Sequence, residues 1–262
     1  MPQIRNPAVA GVFYPDDPAV LQHQLRGFLS QETSVENRPK ALIVPHAGYI
    51  YSGPVAASAY AQLAPIREQI QRVVLLGPAH RVGFRGLAAT SAEYFSTPLG
   101  LVRIDRGAMD GILSLPQVRI FDDAHLEEHS LEVQLPFLQT VLEKDFGLIP
   151  LVVGETEAGE VAEVIEKLWG GPETLLVISS DLSHYQDYET ARRLDSATSA
   201  AIEQLNPEAL DYQHACGRNP VSGLLVAARH HHLRARTLDL RNSGDTAGGR
   251  DRVVGYGAYA FF

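Results

Sequence analysis

The chain has 262 residues, with 22 Lys and Arg against 31 Asp and Glu and a formal charge of −9. An acidic chain of pI near 5.5 lacks the basic balance of a nucleic-acid binder, and its single cysteine excludes an intramolecular disulfide or a cysteine-only zinc site. No run approaches the ~20 apolar residues that span a bilayer, and the opening MPQIRNPAVAG has no signal-peptide apolar core, so a cytoplasmic protein without membrane or nucleic-acid partners is expected.

In chain order, Asp17 and Pro18 mark a helix start, and Leu21, Leu25, Phe28 and Leu29 share its apolar face. Gln31 to Pro39 is the nearest thing to a linker. Ala41 to Val44 reads as a strand buried on both faces, and Val55 to Leu63, after a glycine-containing turn, as a helix. Val73 to Leu76 is a second buried strand; Gly86 to Thr90 and Leu101 to Ile104 are weaker strands. Leu131, Leu135, Leu138 and Leu142 form a helical stripe, with Pro136 tolerable near its first turns. Leu148 to Val153 and Leu175 to Ile178 read as strands, and Val161 to Trp169, Tyr188 to Leu205 and Val221 to His230 as helices. Arg236 to Asn242 and Val253 to Phe262 follow as strands without a helix between them, so they are expected to be antiparallel. Buried strands alternating with amphipathic helices predict one α/β domain over residues 1–262, with a largely parallel or mixed central sheet flanked by helices.

Ten histidines are unusual in so acidic a chain. Three buried strands run into histidine segments: Pro45-His46-Ala47-Gly48, Gly77-Pro78-Ala79-His80 and Ser179-Ser180-Asp181-Leu182-Ser183-His184. Ligands of open α/β sheets bind outside the carboxyl ends of the strands. If these strands are parallel neighbours, His46, His80, Asp181 and His184 converge on one rim. Imidazole with carboxylate suits iron, zinc, copper or manganese. The plainer reading is a set of histidines that cap strand ends.

Cys216, in His214-Ala215-Cys216-Gly217-Arg218-Asn219-Pro220, reads as a small buried residue, a soft metal ligand, or a nucleophile whose pKa is lowered by Arg218 and a helix start. His125 and His129 flank Glu127 and Glu128, as acid–base apparatus or as a solvated turn. His230, His231 and His232 read as a cationic C-terminal turn, and His23 as solvated. Neither GxGxxG nor GxxxxGK[ST] occurs, and Ser179 and Ser180 lack a GxSxG elbow.

These segments resemble the Memo family, whose prokaryotic members are often called AmmeMemoRadiSam system protein B. The matching stretches are Arg5-Asn6-Pro7-Ala8-Val9-Ala10-Gly11, Pro45-His46-Ala47-Gly48-Tyr49, Gly77-Pro78-Ala79-His80, Glu128-His129-Ser130-Leu131-Glu132, Ser179 to Tyr185, Cys216-Gly217-Arg218 and Val253 to Gly257. The resemblance implies a fold similar to class III extradiol (LigB-type) dioxygenases, which hold iron with two histidines and a glutamate. It implies metal ligands at His46, His80 and Cys216, with Asp181 and His184 beside them. The metal would be a divalent transition ion: Fe, Cu or Zn. His184, His129 and Asp181 are the catalytic candidates of a dioxygenase-like activity on a small molecule. The alternative is a non-catalytic module that binds a peptide or small anion in the histidine pocket. The family's prokaryotic name implies a radical-SAM partner protein.

Overall fold

The computed structural model describes residues 2–33, 38–142 and 145–262; within the polar stretch from Gln31 to Pro39, Ser34 to Asn37 lie outside the described residues. Four fully or almost fully buried strands form the centre: β2 (Ala41–Val44), β3 (Arg72–Pro78), β8 (Gly147–Val153) and β9 (Thr174–Ser179). They are parallel, in the order β2-β9-β3-β8. Their continuous Val, Ile and Leu runs suit burial on both faces.

Short strands extend the sheet beyond β8. There β4 (Leu87–Ala89) pairs antiparallel with β8, and β7 (Val118–Ile120) pairs parallel with β4. Beyond β2, β12 (Val253–Phe261) adds antiparallel and carries both β10 (His184–Gln186) and β11 (Ala235–Asn242). The two terminal strands are therefore antiparallel, as their direct connection predicts. A separate small sheet joins β1 (Ile4–Arg5), β5 (Tyr94–Thr97) and β6 (Gly100–Arg103).

The connections explain the helix layers. From β2 to β3 the chain moves one way along the sheet, through α2 (Tyr49–Tyr60); from β8 to β9 it returns, through α6 (Ala158–Lys167). Right-handed crossovers running in opposite directions put their helices on opposite faces. Accordingly α2 packs with α1 (Pro18–Leu29) and α5 (Leu135–Leu142), whereas α6 packs with α8 (Arg218–His230). On the β11 and β12 side lies α7 (Tyr188–Glu203). The remaining helices, α3 (Arg106–Ile112) and α4 (Asp123–Leu126), are short. No helix among the described residues is long and apolar enough to cross a membrane.

Two local expectations change. The helix predicted from Val55 begins at Tyr49, with Gly53-Pro54 inside it. Gly53 is there because α1 packs on it: a Cβ would sit 2.5 Å from the Phe28 ring. The stripe from Leu131 splits into a 3-10 turn over Glu132–Gln134 and α5, so Pro136 falls at the second position of α5, where its missing N–H costs nothing.

Candidate metal centre

The reversal of chain direction leaves the carboxyl ends of β2, β9 and β3 side by side, the usual place for a ligand in an open α/β sheet. Val44 of β2 pairs in register with Ser179 of β9, so two residues further on His46 meets Asp181. The His46 backbone N–H donates to Asp181 Oδ1 at 2.7 Å. His80 follows β3 and comes in from the other flank, its ring centroid 5.1 Å from that of His46. His129, from the loop before α5, closes the triangle at 4.7 Å from His80 and 5.5 Å from His46.

Cys216 enters from the loop before α8. Gly217 permits this, because a Cβ there would lie 2.7 Å from the Ser180 side chain. Its N–H donates to Ser180 Oγ at 3.0 Å, which lays Cys216 Sγ 3.3 Å from His46 Nε2. One donor atom each from His46, His80 and Cys216 lies within 4.8 Å of the others. A second such group, His80, Glu128 and His129, shares His80 with the first.

Hydrogen bonds decide which nitrogen each imidazole presents. Glu128 accepts from the His80 backbone N–H at 2.6 Å, from the Ser130 N–H at 2.9 Å and from His80 Nδ1 at 2.9 Å. Burial works to raise the Glu128 carboxyl, but the His80 side chain and these backbone donors pull it down to about 2. An ionised carboxylate has no proton to give, so His80 Nδ1 is the donor and Nε2 remains for a ligand. His184 Nδ1 donates to the Leu182 carbonyl at 2.8 Å, leaving its Nε2 likewise.

Burial, aided by the charge of His80, holds His46 well below the usual imidazole range. Burial and His46 lower His129 to about 4. Both rings are therefore neutral at neutral pH, the form a metal requires. Burial pushes the Asp181 carboxyl up, against the opposing charge of His184. Burial and the Asp181 charge push the Cys216 thiol up as well. The expected thiol-lowering by Arg218 does not operate, because the Arg218 guanidinium stacks 3.5 Å above the Tyr212 ring and faces Glu155. Without a metal, Cys216 is a thiol, its Sγ lying 3.3 Å from His46 Nε2 and 3.6 Å from the Asp181 carbonyl oxygen.

The donor set fits a transition metal. Metal–nitrogen and metal–sulfur bonds of about 2.0 and 2.3 Å separate the donors by about 3.5 Å in a tetrahedral site. The observed 3.3 Å is close to that. Two imidazoles and a thiol favour iron, copper or zinc over calcium or magnesium.

The other predicted residues distribute unevenly. Asp181 adjoins the group by accepting from the His46 backbone N–H and His184 acts on His46 through charge, yet neither supplies an atom to a metal-sized cluster among the described residues. His125 is buried elsewhere, its Nε2 donating to the Ala88 carbonyl at 3.0 Å, and burial lowers it to about 4. His214 pairs with Asp211, and His23 is exposed. The terminal triplet is exposed, as expected of a C-terminal turn, with His231 stacked on Trp169 at 3.6 Å and paired with Glu166.

Sequence reasoning missed the supports. Glu128 was legible only as one of two adjacent acids, and nothing in the spacing joins it to His80, 48 residues away. Glu132, fully buried, takes Arg5, the Ala8 and Val9 N–H groups and the Tyr14 hydroxyl. Arg5 also donates to the carbonyls of His125 and Glu128, so the N-terminal segment clamps the loop that carries His129.

A family model described as Memo-like protein matches residues 5–260. A MEMO1 family protein of Aquifex aeolicus is 39% identical over 97% of this chain and 97% of its own length. One from Methanosarcina barkeri is 36% identical over 97% of this chain and 98% of its own. One from Saccharolobus solfataricus is 34% identical over 98% of this chain and 99% of its own. The matched range takes in the whole rim and its supports, from Arg5 to the Cys216 loop, and the chain belongs to the Memo family.

Proposed function

We propose that this protein binds one transition-metal ion through His46, His80 and Cys216 and uses it in dioxygenase-like chemistry on a small molecule. The observation that carries the reading is the donor cluster itself: two imidazole nitrogens and one sulfur within 4.8 Å, the rings held from behind at Nδ1. The ion, when bound, supplies a Lewis-acidic or redox centre with room for a substrate atom.

The chain's own residues do the rest. Glu128 orients His80. His129, neutral and only slightly exposed beside His80, accepts a proton from substrate. Asp181, fixed by the His46 backbone N–H, and His184, fixed by the Leu182 carbonyl, are the further acid–base groups. Cys216 lines a cavity of about 110 Å³ with Pro78, Ala79, Phe84 and Val153, large enough for a small apolar group. The carboxylate ligand of ring-cleaving enzymes is replaced by a thiol, so the reaction here differs from extradiol cleavage at the metal. The radical-SAM partner belongs to this reading through the family alone.

Anaerobic reconstitution with Fe²⁺, Cu⁺ and Zn²⁺ in separate experiments tests it. The expected result is one tightly held ion per chain for at least one metal, lost in His46→Ala and in His80→Ala. Failure of all three to bind stoichiometrically overturns the reading; a ligand interaction that survives chelation but is lost in His46→Ala supports a binding module instead.

A further inference from the structure

Of the three donors, His46 is the most buried, at 2% exposure, and its ring is oriented by a hydrogen-bond chain that lies behind it. Ser179, the last residue of β9, places its Oγ 2.5 Å from the Ser130 carbonyl oxygen, 2.9 Å from His46 Nδ1 and 2.8 Å from Gln134 Nε2. Two oxygens 2.5 Å apart need a proton between them, and a carbonyl has none. The single hydroxyl proton of Ser179 is therefore committed to Ser130.

Gln134 fixes the remaining freedom. Its amide nitrogen also donates to the Pro45 carbonyl at 2.9 Å, and its Oε1 accepts from the Tyr60 hydroxyl at 2.9 Å. Turning the amide round would oppose two carbonyl oxygens, so the nitrogen must face Ser179. With its proton committed and Gln134 donating to it, Ser179 Oγ can only accept from His46. Ser179, Ser130, Gln134 and Tyr60 are all at most 1% exposed, so solvent cannot substitute for a lost partner.

From this geometry we infer that Ser179, backed by Ser130 and Gln134, is a positioning residue: it locks His46 with the proton on Nδ1 and the lone pair on Nε2, facing Cys216 Sγ at 3.3 Å. The opposite tautomer would set the Nδ1 lone pair against the oxygen lone pairs of Ser179. His46 and His80 thus present the same nitrogen by different means. A neutral hydroxyl, oriented by an amide and a carbonyl, sets the first; a carboxylate sets the second. The inference rests on the metal reading only for its effect on affinity.

The test uses the full chain, freed of metal with a chelator and labelled with nitrogen-15 at histidine. Long-range proton–nitrogen spectra report which ring nitrogen carries the proton, with the His46 signals assigned by their loss in His46→Gln. Wild type is expected to show Nδ1 protonated in a single form. Gln134→Leu should keep that form, because Ser130 still holds the hydroxyl proton. Ser179→Ala should populate the Nε2-protonated form and lower Zn²⁺ affinity about 10–100-fold, read by chelator competition. A wild-type His46 with its proton on Nε2 overturns the inference, and that observation needs no variant to fold. An unchanged His46 tautomer in Ser179→Ala overturns it too. Spectra as expected, with none of Zn²⁺, Fe²⁺ and Cu⁺ taken up by either protein, would leave the positioning role standing and defeat the metal reading.

Discussion

Glu128, in the loop before α5, and Glu132, four residues on at the start of the 3-10 turn, are both buried, and their charge goes to different ends. Glu132 is closed on all sides by Arg5, the Ala8 and Val9 N–H groups and Tyr14. Every acceptor position faces the fold, so Glu132 joins the N-terminal segment to the loop and has nothing left for a ligand. Glu128 takes two backbone N–H groups and then His80 Nδ1, whose ring has a second nitrogen facing the other way. A buried carboxylate thus belongs to the chemistry when its partner has another functional end, and to the scaffold when it has none.

The largest expected effect is at the scaffold acid. Arg5→Ala or Glu132→Ala leaves a buried charge unpaired and should cost about 3–5 kcal/mol in chemical denaturation. A loss below 1 kcal/mol would show that Glu132 is not the anchor described.

Acid should separate the histidines from Glu128. His125 and His129 have folded values near 4, below the ordinary 6.5, so the unfolded chain binds more protons between those limits. Stability of the metal-free protein is then full above pH 6.5 and falls as the pH drops toward 4, with His125 alone accounting for roughly 3 kcal/mol. Glu128 is also depressed, from 4.5 to about 2, so its contribution is lost only below pH 4.5. Urea midpoints that stay level between pH 6.5 and 4 would contradict the neutral, buried state of these rings.

At the site acid, Glu128→Gln should weaken Zn²⁺ binding about 10–100-fold, measured by chelator competition. Unchanged affinity would remove Glu128 from the support of His80. Smallest of all, His231→Ala removes a ring stacked on Trp169 at the far end of α8 and should cost about 1 kcal/mol while leaving metal affinity untouched.

How far the sequence disclosed this arrangement depends on the distance between partners. The four central strands were legible because each is a short apolar run, and the terminal antiparallel pair because no helix separates its members. His46 and His80 were legible because each directly follows such a strand. The start of α2 was not, because Gly53 and Pro54 signal a break locally and only the Phe28 ring across from them explains the helix. Strands such as β1, β5 and β7 are two to four residues long and carry too little periodicity to stand out. Ser179 and Gln134 were invisible as supports for a different reason. Their roles depend on where one hydroxyl proton points, and 45 residues separate them.

The central claim is that His46, His80 and Cys216 share one ion, and X-ray absorption of the metal-loaded protein tests it most directly. The account predicts a coordination shell with one sulfur at about 2.3 Å and two imidazole nitrogens at about 2.0 Å, the sulfur disappearing in Cys216→Ser. A shell of oxygen and nitrogen alone in the wild-type protein would contradict it.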